Sequence, residues 1–109
     1  MFRDIRFTYD SSVIDDIAMQ DIEYNAQVIL ENEGLKVQLE GHCDERGTTD
    51  YNMSLGSQRA KSVKDLLISF GVPSSRLDSI SYGEEVPIDP SSNDSAWSQN
   101  RRVHFSPYN

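Results

Sequence analysis

The sequence predicts an α+β fold, an α/β sandwich in which one mixed sheet carries two main helices on one face, in the order β-α-β-α-β-β. Three observations carry this prediction. Leu35-Lys36-Val37-Gln38-Leu39-Glu40-Gly41 alternates with period two, as a half-buried strand does. On either side of it, Val13–Asn32 and Tyr51–Phe70 place apolar residues at helical spacing. The chain's 109 residues show no repeat, low-complexity tract or linker, which fits one domain around one core.

Each element has its own signal. Ile5-Arg6-Phe7-Thr8-Tyr9 alternates and reads as the first strand, closed by the turn residues Asp10-Ser11-Ser12. Ile14, Ile17, Met19, Ile22, Ala26, Ile29 and Leu30 then mark a helix that Gly34 ends. After the central strand, a polar loop from His42 to Asp50 leads into the second helix, which Gly71-Val72-Pro73 terminates. Leu77–Tyr82 reads as a third strand, Glu84–Gln99 as a turn-rich connection containing Pro87 and Pro90, and Arg101–Phe105 as the closing strand. The right-handed crossover rule sets the first two strands parallel, with the last strand antiparallel. Residues 1–109 are thus expected to form a single domain, with Met1–Asp4 disordered or foreign to it.

Charge removes several function classes. Eighteen acidic against ten Lys and Arg residues give a net charge of −8. That is the wrong sign for non-specific binding to nucleic acid or an anionic membrane. The aliphatic runs Val28-Ile29-Leu30 and Leu66-Leu67-Ile68 are far too short to span a bilayer. Phe2-Arg3-Asp4 lacks the apolar character of a secretory leader. Cys43 is the sole cysteine, so neither an internal disulfide nor a cysteine metal motif is expected.

One residue is out of place for a plain fold. Arg59 falls inside the apolar arc of the second helix, among Leu55, Ala60, Val63, Leu66, Leu67 and Phe70. A guanidinium aimed at a core needs an anionic partner or a route to solvent. It is either a ligand-binding group emerging near Asp44 or a structural bridge to a neighbouring carboxylate. Gly56, on the same arc, implies close approach of helix and sheet, because a helix-interior glycine otherwise costs about 1 kcal/mol against alanine.

The loop Gly41–Thr49 concentrates polar groups at a strand end, where α/β units often bind ligands. Its chemistry is not catalytic. Neighbouring residues of the run His42-Cys43-Asp44-Glu45 point to opposite faces, and His104 is the only other histidine, so no metal site is expected. Nothing orients Cys43 and a histidine as a nucleophilic pair, and adjacent Asp44 and Glu45 cannot flank a glycosidic bond. The chain is read as a non-enzyme without cofactor.

Gly41-His42-Cys43-Asp44-Glu45-Arg46-Gly47-Thr48, then Tyr51-Asn52, Ser54-Leu55-Gly56, Arg59-Ala60 and Val63, resemble the signature of the OmpA C-terminal-like domains. Ser81-Tyr82-Gly83-Glu84 with Pro87, and Asn100-Arg101-Arg102-Val103, extend the resemblance from about Ile5 to the C-terminus. Within the family, the chain is most similar to the peptidoglycan-associated lipoproteins. The resemblance implies non-covalent binding of peptidoglycan through the meso-diaminopimelate of its stem peptide, tethering the outer membrane to the cell wall. By motif position it implies that Asp44 and Arg59 hold this residue, with Tyr9, Asp10 and Leu55 lining the pocket. Cys43, Arg46, Thr48 and Asn52 are secondary candidates.

A carboxylate suits the ligand's ammonium, and a planar guanidinium suits its carboxylate. Asn52 is expected to satisfy backbone groups of the Asp44–Thr48 loop, and Arg46 either to pair with Asp50 or to reach the ligand. Cys43 stands where Thr or Ala is commoner in the family and reads as a small buried thiol. The resemblance also implies a periplasmic location, outer-membrane association through a lipid anchor, and membership of the Tol-Pal system. The alternative is a domain whose main role is binding the periplasmic propeller protein of that system, or a stator-type relative.

Overall fold

A computed structural model describes residues 1–108. The elements are β1 (Ile5–Arg6), α1 (Asp16–Glu31), β2 (Lys36–His42), α2 (Thr49–Ser69), a 3₁₀ turn (Ser74–Arg76), β3 (Leu77–Gly83), α3 (Asp94–Asn100) and β4 (Arg102–Tyr108). The four strands form one sheet in the order β1-β4-β2-β3. β2 and β3 are parallel across α2, while β4 runs antiparallel to both β1 and β2. The first two strands therefore share a direction, as the crossover rule requires, but β4 lies between them. No helix among the described residues is long and apolar enough to cross a membrane.

Alternation along the strands decides which face is covered. Ile5, Val37, Leu39, Val103 and Phe105 point into one core with Ile22, Ala26 and Ile29 of α1 and Ala60, Val63 and Leu67 of α2. Side chains at the intervening positions, among them Glu40, His42, Arg102 and His104, lie on the other face. Phe2, Arg3 and Asp4 are tied in rather than hanging free. Phe2 packs tilted against Phe105, Arg3 exchanges two backbone hydrogen bonds with the buried Asn25 side chain, and Asp4 meets His104.

Helix α2 sits unusually close to the sheet. A Cβ at Gly41 would fall 1.8 Å from the Gly56 carbonyl oxygen, and one at Gly56 would fall 2.3 Å from Ser81 Oγ. Two facing glycines thus give the helix–sheet approach that Gly56 implied, and they fix α2 near the end of β2.

Three boundaries differ from expectation for identifiable reasons. The run Ile5–Tyr9 contributes only Ile5–Arg6 to the ladder, because the Phe7 and Thr8 carbonyls are taken by the side chains of Arg101 and Arg59. α1 starts at Asp16 rather than Val13, since Asp15 caps it by accepting from Ala18 N–H. Within the connection read as turn-rich, Asn93 caps the short helix α3 by accepting from Ala96 N–H.

Candidate functional site

Three segments meet at one end of the sheet: the β1–α1 loop with Tyr9 and Asp10, the β2–α2 loop with Cys43 to Gly47, and the first turns of α2. They border a solvent-open cavity of about 30 Å³ lined by Tyr9, Asp10, Cys43, Asp44, Arg46, Gly47, Tyr51, Asn52, Leu55 and Arg59. All five residues expected to form the main site line it, as do Cys43, Arg46 and Asn52. Thr48 does not. Its hydroxyl accepts from Tyr51 N–H and caps α2, which leaves it structural.

Arg59 is fully buried at 0% exposure, yet no carboxylate pairs with it among the described residues. Of the two alternatives the sequence left open, the bridge to a neighbouring carboxylate is not made among the described residues. Its Nε donates to the Ser11 carbonyl at 2.8 Å, Nη1 to the His42 carbonyl at 2.9 Å and Nη2 to the Thr8 carbonyl at 3.1 Å. A guanidinium has five N–H groups, so one on each terminal nitrogen remains. The side chain ties the end of β1 and its following loop to the end of β2. Its pKa lies below the ordinary value, chiefly because burial penalises the charged form.

Asp44 is 3% exposed and carries the site's buried negative charge. Its carboxylate accepts from Arg46 N–H at 3.0 Å, Arg46 Nε at 3.3 Å, Arg46 Nη2 at 2.9 Å and Arg101 Nη1 at 3.3 Å. Burial alone would raise its pKa, but these hydrogen bonds from Arg46 and Arg101 outweigh it and hold the carboxyl below its usual range. Arg46 thus pairs with Asp44 and not with Asp50. The Arg46 guanidinium is also stacked between two rings, 3.9 Å from the Tyr9 centroid and 4.2 Å from that of Trp97.

The remaining groups support this arrangement. Asn52 Nδ2 donates to the Asp44 carbonyl at 3.3 Å, the backbone role expected of it, and to Glu84. Tyr51 hydroxyl donates to Asp10, whose backbone adopts a left-handed φ of 53°. Cys43 is buried and its thiol donates to the Asn52 carbonyl, with burial raising its pKa. No group of three or more His, Cys, Asp or Glu among the described residues could hold a metal.

The sequence pattern reads Tyr51 as structural and Arg101 as part of a sheet-end network that could reach the glycan, and it gives no sign of Trp97. Tyr51 had a usable signal, since it lies four residues before Leu55 and eight before Arg59 on α2. Trp97 and Arg101 lie half a chain away, and only the fold brings them to the loop.

The profile of the OmpA family matches residues 6–101. Peptidoglycan-associated lipoproteins of Pseudomonas aeruginosa and Brucella melitensis are each 45% identical over 99 residues, covering 91% of this chain. The chain spans 58% and 59% of those relatives' lengths. Among solved structures, the peptidoglycan-associated lipoprotein of Burkholderia pseudomallei superposes with a TM-score of 0.92 at 30% identity, over 97% of this chain and 90% of that one. The C-terminal domain of Helicobacter pylori MotB gives 0.92 at 25% identity, over 100% and 86%.

Proposed function

The chain belongs to the OmpA family, and from that membership we propose that it binds peptidoglycan non-covalently and tethers the cell wall to the outer membrane. The ligand group is the free end of a meso-diaminopimelate stem peptide, which presents an ammonium and a carboxylate on one carbon. The observation that carries this reading is a single cavity bordered by the buried carboxylate of Asp44 and the buried guanidinium of Arg59.

Asp44 accepts the ammonium, and the two spare N–H groups of Arg59 meet the carboxylate. Leu55 and the Tyr9 ring flank the ligand's methylene chain, and Asp10 offers a second acceptor at the rim. No bond is made or broken, so the site needs orientation and charge rather than a nucleophile. The relatives' name supports the substrate class, and a periplasmic, outer-membrane-associated location follows from it, with a lipid anchor in a longer protein.

Calorimetric titration of a diaminopimelate-containing stem peptide into wild type and Asp44→Asn tests the reading. A hydrogen bond to a charged group contributes roughly 1.5–3 kcal/mol, so affinity is expected to fall about tenfold or more. Equal affinity for both proteins would contradict it. Exposed Tyr9, Tyr51, Val13 and Ile17, in or close to the loops that form the rim, favour a second reading. In it, this surface also docks a protein such as the propeller partner of a Tol-Pal system. Capture of that partner without binding to isolated cell-wall sacculi would put this role first.

A further inference from the structure

The cavity is open to solvent on one side, and the buried carboxylate that borders it is already occupied by two cations of the protein itself. A ligand ammonium reaches Asp44 only if one of these groups gives way. Cys43, Asp44, Leu55 and Arg59 are buried, and Arg59 is pinned by three backbone carbonyls. Among the basic groups holding Asp44, one is built to leave. Arg101 is anchored elsewhere, because its Nε donates to the Phe7 carbonyl at 2.9 Å, and its side chain is only 16% exposed. Arg46 is 32% exposed, and every hydrogen bond its guanidinium makes is to Asp44.

We propose that Arg46 is a latch: its guanidinium occupies Asp44 in place of the ligand's ammonium, and it must swing off before the ligand binds. This rests on the peptidoglycan reading and deepens it. Tyr9 and Trp97 are the positioning residues of the latch, holding the guanidinium between their rings. When the latch opens, Arg101 still neutralises part of the Asp44 charge, so the carboxylate stays ionised for the incoming group. A ligand that brings no cation cannot replace the guanidinium. The site therefore selects for a free ammonium before the rest of the ligand is read.

The arrangement sets a clear sign for mutational effects. If the competent state is only a fraction of the population, apparent affinity is reduced by that fraction. Removing the latch then tightens binding, whereas removing a ligand contact weakens it. Trp97 is the only tryptophan in the chain, so its emission reports the departure of Arg46 without a label.

The test titrates the diaminopimelate stem peptide into wild type, Arg46→Met, Trp97→Ala and Trp97→Phe, following heat in all four and tryptophan emission in the first two. The latch predicts an emission change on binding in wild type that Arg46→Met lacks. It also predicts apparent affinity about threefold or more tighter in Arg46→Met and Trp97→Ala, with Trp97→Phe near wild type because it keeps an aromatic face. Weaker binding by Arg46→Met, or binding to wild type without an emission change, overturns the latch and leaves the pocket standing. No binding by any of the four proteins overturns the pocket reading, and the latch with it.

Discussion

Arg59 and Arg46 line the same cavity and are held in unlike ways. Arg59 lies under the helix, sealed from solvent, its nitrogens committed to the carbonyls of Thr8, Ser11 and His42. Arg46 lies on the loop, a third exposed, pinned by a carboxylate and two aromatic faces. A cation bound by backbone carbonyls cannot be released without leaving the buried His42 carbonyl and the part-buried Thr8 and Ser11 carbonyls without their donor. A cation bound by rings and one carboxylate can be exchanged for another cation. The difference separates a fixed floor, which shapes the cavity, from a more exposed rim, on which the proposed latch acts.

The sharpest break of that comparison is to substitute each arginine by methionine and measure urea unfolding. Arg59→Met keeps much of the side-chain volume but strands three carbonyls, and a loss of about 3–5 kcal/mol is expected. Arg46→Met leaves Asp44 still paired with Arg101 and is expected to cost less, about 1–2 kcal/mol. Similar costs for the two would dissolve the distinction between floor and rim.

A smaller effect tests how the floor is braced from the opposite face of the sheet. His42, whose carbonyl receives Arg59, has its ring buried against Tyr82, with neither nitrogen hydrogen-bonded among the described residues. Burial, reinforced by repulsion from Arg102 and His104 and opposed by Asp4, pushes its pKa down from 6.5 to about 4. The unfolded chain takes up a proton near 6.5, and the folded chain resists until about 4. Stability from this group is therefore complete above pH 6.5 and lost as pH falls from 6.5 to 4, by about 3 kcal/mol. Unfolding of wild type and His42→Phe across that range should show a slope that the variant lacks. Parallel pH profiles would contradict it.

Much of this was legible in the residues. Period-two alternation found β2, helical spacing found α1 and α2, and the burial of Arg59 followed from its place on the apolar arc. Motif resemblance supplied Tyr9, Asp10, Asp44 and Leu55, and the fold gathers them at one cavity. What stayed hidden depended on contacts distant in sequence. β1 is short because side chains from residues 59 and 101 capture its carbonyls, which no local pattern records. α3 is seven residues long, too short to display a helical period, and only Asn93 followed by Asp94 marks its start. The alternative of a carboxylate bridge to Arg59 is not realised, because backbone carbonyls of the β1–α1 segment and of the end of β2 satisfy the guanidinium instead. For Arg46 the sequence offers Asp50, four residues along, or the ligand. The fold instead offered Asp44 with Tyr9 and Trp97, a choice fixed by loop conformation.

The central claim is that one cavity between the β1–α1 loop, the β2–α2 loop and the start of α2 receives the stem peptide. Amide chemical shifts of the labelled protein during titration with the diaminopimelate stem peptide test it most directly. The account predicts the largest changes at Tyr9–Ser11, Cys43–Gly47 and Leu55–Arg59, with the indole of Trp97 moving alongside. Changes confined to the uncovered face of the sheet, around Gln38, Ile80 and Ser106, would contradict it.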